Sequence, residues 1–298
     1  MSNIHLQNCP VCNGTQFQPY LQLKDYSISK EDFTLMECKD CGFVFTHNFP
    51  DEKSIAPYYK SEDYISHSDT RKGLVNRIYH VVRAVMLQKK AQMVEVYSSK
   101  RKGRLLDIGT GLAYFPEFMK SRGWQVEGIE QDADARQAAS KRFDFVVNDV
   151  PALLEMKGRD FEVISMWHVL EHVHHLDVYM KTIWENLADD GLFVVAIPNP
   201  DSPDAAHYKQ YWAAYDVPRH LWHWKPQVFK TFAQKHGFEV VATKPMPMDA
   251  FYVSMLSEKY KQASLSFIKG IFWGKMTWWK SLNQPQKSSS VIYFMKKI

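Results

Sequence analysis

The chain is predicted to be α/β: a doubly wound, mostly parallel seven-stranded sheet, preceded by a small cysteine-bound module. Three observations predict this. From Arg104 onward, short apolar runs alternate with helix-forming stretches, the pattern of strands joined by crossover helices. The first of these runs, Arg104-Leu105-Leu106-Asp107-Ile108, ends through Gly109 and Gly111 in a helix-forming segment, which reads as strand, tight turn and helix. All four cysteines fall within the first 41 residues, as two Cys-x-x-Cys pairs.

In chain order, residues 1–48 form the cysteine module, with strands expected at 33–37 and 43–46. Cys9, Cys12, Cys38 and Cys41 match a structural Zn2+ site in which four thiolates converge on a tetrahedral ion, and Gly14 and Gly42 follow the pairs at the turns. Disulfide pairing is the competing reading. Four thiolates close the coordination shell, so the site is a scaffold and not a catalyst. A Pro-, Tyr- and Ser-containing linker covers 49–72, including Pro50, Pro57, Tyr58, Tyr59 and Tyr64. Leu74, Ile78, Val82, Val85 and Met86 recur at helical spacing and predict a helix over 73–98.

Strands are expected at 104–108, 125–129, 144–147, 161–166 and 191–197, alternating with helices at about 115–122, 133–142 and 173–188. The runs at 237–241 and 291–295 supply the last two strands. The large domain thus covers 73–298, with insertions at about 199–225 and 245–290. In the second insertion Leu265, Ile268, Phe272, Met276 and Trp279 make one helical stripe flanked by Lys269, Lys275 and Lys280. That pattern suits peripheral membrane contact through 265–280, and packing onto the domain's own edge explains it equally well.

At 298 residues and 45% hydrophobic, the chain suits one large and one small globular domain. The net charge of +4 is too mild to imply nucleic acid, but its distribution is uneven. From Arg71 to Arg104 ten basic residues face one acid, Glu95, and after Glu258 there are eight lysines and no acid. Two solvated faces account for this; an anionic substrate or lipid headgroups is the sharper reading. No signal peptide opens the sequence and no apolar run is long enough to span a bilayer, so the cytoplasm is expected.

The glycine bend implies a nucleoside-containing cofactor. Gly109 and Gly111 let the backbone turn close to a ligand, and the following helix N-terminus offers unpaired N–H groups. Glu130 ends the next apolar run, where such folds hold ribose hydroxyls. A dinucleotide fingerprint needs a third glycine, but Tyr114 stands there. The pattern Asp107-Ile108-Gly109-Thr110-Gly111 instead resembles motif I of class I S-adenosylmethionine (SAM)-dependent methyltransferases, which have a Rossmann-like sheet. The resemblance covers roughly 73–245, and some members carry a zinc ribbon beside enzymes methylating nucleotide-linked sugars or other small molecules.

The resemblance implies that Asp107 anchors the amino-acid portion of SAM, that Thr110 replaces the cysteine or serine of many members, and that Asp149 contacts the adenine amine. His168-Val169-Leu170-Glu171-His172-Val173 resembles the H-x-x-E-H-V segment after the fourth strand of one subgroup. Ligands gather at strand C-termini in open α/β sheets, which puts Trp167 and His168 at the site. Glu171 and His172 are expected to orient the loop. Asp216-Val217-Pro218-Arg219-His220-Leu221 resembles the subgroup's D-x-P-x-H-L signature, a lid in which His220 is a candidate proton acceptor and His168 a second. The alternative for Asp216, Arg219 and His220 is that they tie the loop down.

The letters H-x-x-E-H also spell an inverted zinc-protease motif, but that chemistry needs one long helix, and here the motif follows an apolar strand directly. The predicted function is SAM-dependent methyl transfer to a small, anionic, nucleotide- or lipid-linked acceptor, with Zn2+ as a structural ion. A nucleic-acid methyltransferase is the first alternative; interleaved basic and aromatic strands and an Asn-Pro-Pro-Tyr-type tetrapeptide, its marks, are lacking, since Pro198-Asn199-Pro200 does not match. A non-catalytic binding protein is the second.

Overall fold

The structure, a computed structural model, describes residues 2–59, 74–99, 102–246 and 248–298. Tyr64, Arg71, Lys72, Lys100 and Arg101, named above, lie outside the described residues, as do the side chains of Leu74, Arg77 and Ile78.

The N-terminal strands are β1 (Asn3–Ile4), β2 (Phe17–Lys24), β3 (Asp32–Cys38), β4 (Val44–Thr46) and β5 (Phe49–Pro50). After α1 (Leu74–Tyr97) come β6 (Arg104–Ile108), α2 (Tyr114–Ser121), β7 (Gln125–Ile129), α3 (Ala133–Arg142), β8 (Val147–Asn148) and α4 (Val150–Glu155). Then follow β9 (Phe161–Trp167), α5 (Leu176–Asn186), β10 (Leu187–Pro198), α6 (Pro203–Tyr208), β11 (Trp222–His223) and α7 (Pro226–Lys235). The chain ends with β12 (Phe238–Pro245), α8 (Asp249–Tyr260), α9 (Ser266–Ser281) and β13 (Ser290–Lys297).

Seven strands form one sheet in the order β12-β13-β10-β9-β6-β7-β8. β6 runs parallel to both β7 and β9, and β7 runs parallel to β8. The chain divides into two compact units, one of Met1–Ser61, His168–Leu176 and Ala196–Tyr293, the other of Glu62–Trp167, Asp177–Val195 and Phe294–Ile298.

In the second unit the central strands are apolar on both faces, as a covered parallel sheet requires. Leu105 and Leu106 of β6 and Phe161, Val163 and Ile164 of β9 are fully buried. α2 turns Phe115 and Met119 inward, and Asp132 caps α3 by accepting the N–H of Ala135. The expected strand at 144–147 is corrected: only Val147 and Asn148 pair, with Gly128 and Ile129. At this sheet edge Phe143 and Phe145 stack on each other at 6.0 Å, and Val146 is exposed.

The expected helix over 173–188 is also corrected. Leu170–His172 is a 3-10 turn, and α5 begins only at Leu176. The carbonyl that a continuous helix would use at Val173 accepts from Trp222 Nε1 at 2.6 Å, and that of Glu171 accepts from the Leu221 N–H at 2.8 Å. At the far end Asn186 Nδ2 donates to the carbonyls of Thr182 and Met156, and β10 starts at once, four residues before its expected position at 191.

In the first unit β11 adds to the N-terminal strands, giving a four-stranded antiparallel sheet β11-β4-β3-β2. Phe43 packs on Trp222 and Trp224, with ring centroids 5.9 and 4.8 Å apart. α8 and α9 pair through glycines: a Cβ on Gly270 would lie 2.6 Å from Met255 Cα, and one on Gly274 would lie 2.7 Å from Phe251 Cα. This small-residue face is the buried one. The apolar stripe points away, with Leu265, Ile268, Phe272 and Trp279 each more than half exposed. No described helix is long and apolar enough to cross a membrane.

Candidate active site

β6 delivers Asp107 and then the bend. Gly109 (φ +71°) and Gly111 (φ +54°) both occupy the left-handed region, which costs a residue with a Cβ about 1–2 kcal/mol. The bend is fastened to the end of β7. The N–H groups of Gly109 and Thr110 donate to the Ile129 carbonyl at 2.7 and 2.9 Å, and that of Gly111 donates to Glu130 Oε2 at 2.6 Å. Glu130 Oε1 accepts the Asp132 N–H at 2.9 Å. Thr110 faces Gly128, where a Cβ would come within 3.0 Å of the threonine methyl.

A cleft of about 810 Å³, counting space open to solvent, is lined by Asp107, Gly109, Thr110, Gly111, Leu112, Tyr114, Phe115 and Trp167, together with Arg83, Leu87 and Lys90 of α1. Asp107 is buried, and its Oδ1 accepts from Ser165 Oγ at 2.6 Å. Burial pushes its carboxyl up to about 6, against the Ser165 hydrogen bond and the nearby charge of Lys90. Lys90 Nζ lies 4.3 Å from the Trp167 ring centroid, and the Arg83 guanidinium lies 3.8 Å from that of Tyr114. The cleft therefore offers one buried carboxylate and two cations.

Asp149 does not line this cleft. It caps α4, accepting the Ala152 N–H at 3.2 Å. Trp167 lines it, and the chain passes from Trp167 directly into His168, which adopts φ +59°.

In the first unit, Arg219 is fully buried and chelates two acids. Its Nε and Nη2 donate to Asp216 at 3.0 and 2.6 Å, its Nη2 and Nη1 to Asp25 at 3.0 and 3.4 Å, and Nη1 also to the Tyr58 carbonyl at 2.9 Å. Burial alone would raise Asp25, but the hydrogen bonds and charge of Arg219, with the N–H groups of Ser29 and Ile28, hold it below the usual range. Asp216 and Arg219 thus tie the loop down, the alternative noted from the sequence.

Beside this pair lie Glu171, His172 and His220. His220 Nδ1 donates to the Ala214 carbonyl at 2.8 Å, and His172 Nδ1 lies 2.9 Å from the Arg219 carbonyl and 3.0 Å from the Tyr59 hydroxyl. Glu171 is completely buried, with His168 Nδ1 3.4 Å and His220 Nε2 4.0 Å from its Oε1. Burial works to raise Glu171, but His168, His220 and His172 outweigh it and hold the carboxyl down. His172 is pushed down to about 4, by burial and then by His220. The motif sits on a 3-10 turn, not on the long helix a zinc protease needs. His223 is buried with its Nε2 3.1 Å from Thr46 Oγ1, and burial takes it well below the histidine range.

The four cysteines cluster, with one sulfur of each within 4.8 Å of the others. Cys9 Sγ lies 3.5 Å from Cys41 Sγ, and Cys12 Sγ lies 3.6 Å from Cys38 Sγ. A disulfide needs roughly 2.0 Å, whereas a tetrahedron with metal–sulfur bonds of about 2.3 Å has edges near 3.8 Å. The donors fit a metal ion and not disulfides.

Arg83, Lys90 and Ser165 escaped the sequence reading of the site. Arg83, Leu87 and Lys90 are spaced i, i+4, i+7, so one helix face carries both cations, a signal the count of basic residues did not use.

The chain matches the family described as "Methyltransferase domain" over residues 80–243, more than half its length. No curated protein sequence matches it. Among solved structures, geranyl diphosphate C-methyltransferase from Streptomyces coelicolor A3(2) superposes with a TM-score of 0.52 at 10% identity, covering 80% of this chain and 90% of that one. A SAM-dependent methyltransferase from Archaeoglobus fulgidus gives 0.49 at 17% identity, over 72% of this chain and 94% of that one. Magnesium protoporphyrin IX methyltransferase from Synechocystis PCC 6803 gives 0.49 at 13%, over 78% and 90%. With a doubly wound sheet and a family match over more than half of the chain that takes in the glycine bend at the end of β6, the chain belongs to the methyltransferase-domain family.

Proposed function

We propose that the chain transfers a methyl group from SAM to a small-molecule acceptor that is anionic and nucleotide- or lipid-linked. The observation that carries this reading is the charge pattern of one cleft: buried Asp107 with Arg83 and Lys90, a complement to the ammonium and carboxylate of an amino acid. SAM supplies a methyl on a sulfonium, already an activated leaving group. Asp107 would take the ammonium and Arg83 and Lys90 the carboxylate. Glu130 would exchange a backbone N–H for ribose hydroxyls, and Asp149, beyond the lining of that cleft, would accept from the adenine amine through the carboxylate oxygen that does not cap α4. Gly109, Thr110 and Gly111 bring backbone close to the nucleoside, and Trp167 and Phe115 wall the cleft.

The remaining work is to align the acceptor and to remove its proton when it is a hydroxyl or carbon acid. His220 or His168 would hold that proton. The four cysteines would bind one structural Zn2+. Calorimetry with SAM tests the cofactor assignment, and absence of binding by the purified chain overturns it. With an acceptor in hand, His220→Ala keeps SAM affinity and slows transfer.

A second reading concerns location, and the exposed face of α9 favours it. Leu265, Phe267, Ile268, Phe272 and Trp279 are exposed beside Lys269, Lys275 and Lys280, in a tail with no acid after Glu258. Aromatic and aliphatic side chains framed by lysines complement an anionic lipid surface.

A further inference from the structure

We propose that Glu171, His172 and His220 bind a first-row divalent metal ion of the Mn2+ to Zn2+ range, distinct from the ion of the four cysteines. One oxygen of Glu171 and one nitrogen of each histidine lie within 4.8 Å of one another.

Three features converge on this. First, Glu171 is fully buried and neither of its carboxylate oxygens has a hydrogen-bond partner among the described residues. A buried carboxylate in that condition calls for a cation. The adjacent guanidinium does not serve, because Arg219 is spent on Asp25 and Asp216. His168 Nδ1 and His220 Nε2, at 3.4 and 4.0 Å, stand too far off for strong hydrogen bonds.

Second, the imidazoles are set as ligands. A carbonyl can only accept, so His220 Nδ1 against Ala214 carries hydrogen; His172 Nδ1, 2.9 Å from the Arg219 carbonyl and 3.0 Å from the Tyr59 hydroxyl, carries it in the tautomer in which that hydroxyl accepts. Nε2 of neutral His220, and of His172 in that tautomer, is left with the lone pair. A ring N–H held by a backbone carbonyl is the usual support of a metal-binding histidine.

Third, the spacing suits a bridging ion. Two donors about 2.0–2.2 Å from one ion are at most about 4.3 Å apart, and His220 Nε2 already lies 4.0 Å from Glu171 Oε1. Closing the set from its 4.8 Å limit takes a shift of about half an ångström. Two imidazoles and one carboxylate select borderline first-row ions over Mg2+ or Ca2+.

This goes beyond methyl transfer and bears on it at one atom. Ion and proton compete for Nε2 of His220, so with the ion bound the proton-acceptor role falls to His168. Three protein ligands leave coordination positions for water or an acceptor oxygen, whose proton the ion would acidify.

The test uses the full chain with no SAM present, so that this proposal and the methyl-transfer reading fail separately. Protein loaded with one equivalent of Zn2+ is titrated with MnCl2, and free Mn2+ is read by electron paramagnetic resonance. One Mn2+ per chain is expected to bind, with affinity at least about tenfold weaker in Glu171→Gln and in His220→Ala at unchanged zinc content and circular dichroism. Glu171→Gln keeps the shape of the side chain and serves alone if His220→Ala fails to fold. Failure of the wild-type chain to take up Mn2+, or a second equivalent of Co2+ or Zn2+, overturns the site, as does unchanged affinity in Glu171→Gln.

Discussion

Gly111 donates its N–H to Glu130 Oε2 across 2.6 Å, so the bend after the first strand of the large sheet is held by the acid that ends the second. A hydrogen bond to a charged group contributes about 1.5–3 kcal/mol. Glu130→Ala is therefore expected to weaken SAM binding by roughly ten- to a hundredfold in calorimetry, by loosening the bend and removing the ribose acceptor. Undiminished affinity would remove Glu130 from the site.

Ionising buried Asp107 costs the ligand-free fold stability. Its folded carboxyl titrates at about 6, above the roughly 3.9 of an unfolded aspartate. Between those values the folded chain holds more protons, so ligand-free stability is full below about pH 4 and is lost as pH rises through 6. Asp107→Asn should abolish that decline and stabilise the ligand-free protein at pH 7.5 by at most about 3 kcal/mol, while SAM affinity collapses. In the wild type, SAM affinity should rise from pH 5 to 7 as the carboxylate ionises. Urea melts of wild type and Asp107→Asn across this range, with and without SAM, check both; a stability advantage of the variant that does not grow from pH 4 to 6 contradicts the assignment.

Metal removal should act on the four-stranded sheet. Cys9 and Cys38 are fully buried, and Cys38 ends β3. A chelator, or Cys38→Ser, is expected to release one Zn2+ per chain and to speed amide exchange in β3 and β4, because the buried thiols would lose the ion that joins them. Exchange mass spectrometry reads this directly. Protection that survives zinc release would make the ion incidental.

For α9, the chain is expected to float with vesicles rich in phosphatidylglycerol and not with pure phosphatidylcholine. Each lysine near an anionic surface contributes about 1 kcal/mol. Neutralising Lys269, Lys275 and Lys280 should therefore cut vesicle affinity by about two orders of magnitude, and Phe272→Ser with Trp279→Ser should also cut it. Flotation independent of lipid charge and of these residues would assign the face to something else.

The parts of the molecule that could be read in advance are those encoded over short stretches. The bend needs Asp107, Gly109 and Gly111 within five residues, and alternating apolar runs announce strands and crossover helices. The Cys-x-x-Cys pairs likewise carry their own spacing. The edge strand β8 and the helix after Glu171 differ from expectation because other parts of the chain decide them: a sheet edge leaves the Val146 side chain exposed, and Trp222 takes the Val173 carbonyl.

By itself, then, the sequence determined the doubly wound sheet, the cofactor bend and the cysteine cluster, since each rests on residues close enough for local backbone geometry to bring together. Tertiary structure alone decided that Arg219 meets Asp25 from 194 positions away, that Arg83 and Lys90 reach the cleft of Asp107, and that Gly270 and Gly274 turn the apolar side of α9 outward. Those outcomes depend on which surfaces pack and on where a buried charge finds its partner. Neither is encoded in any single stretch of chain.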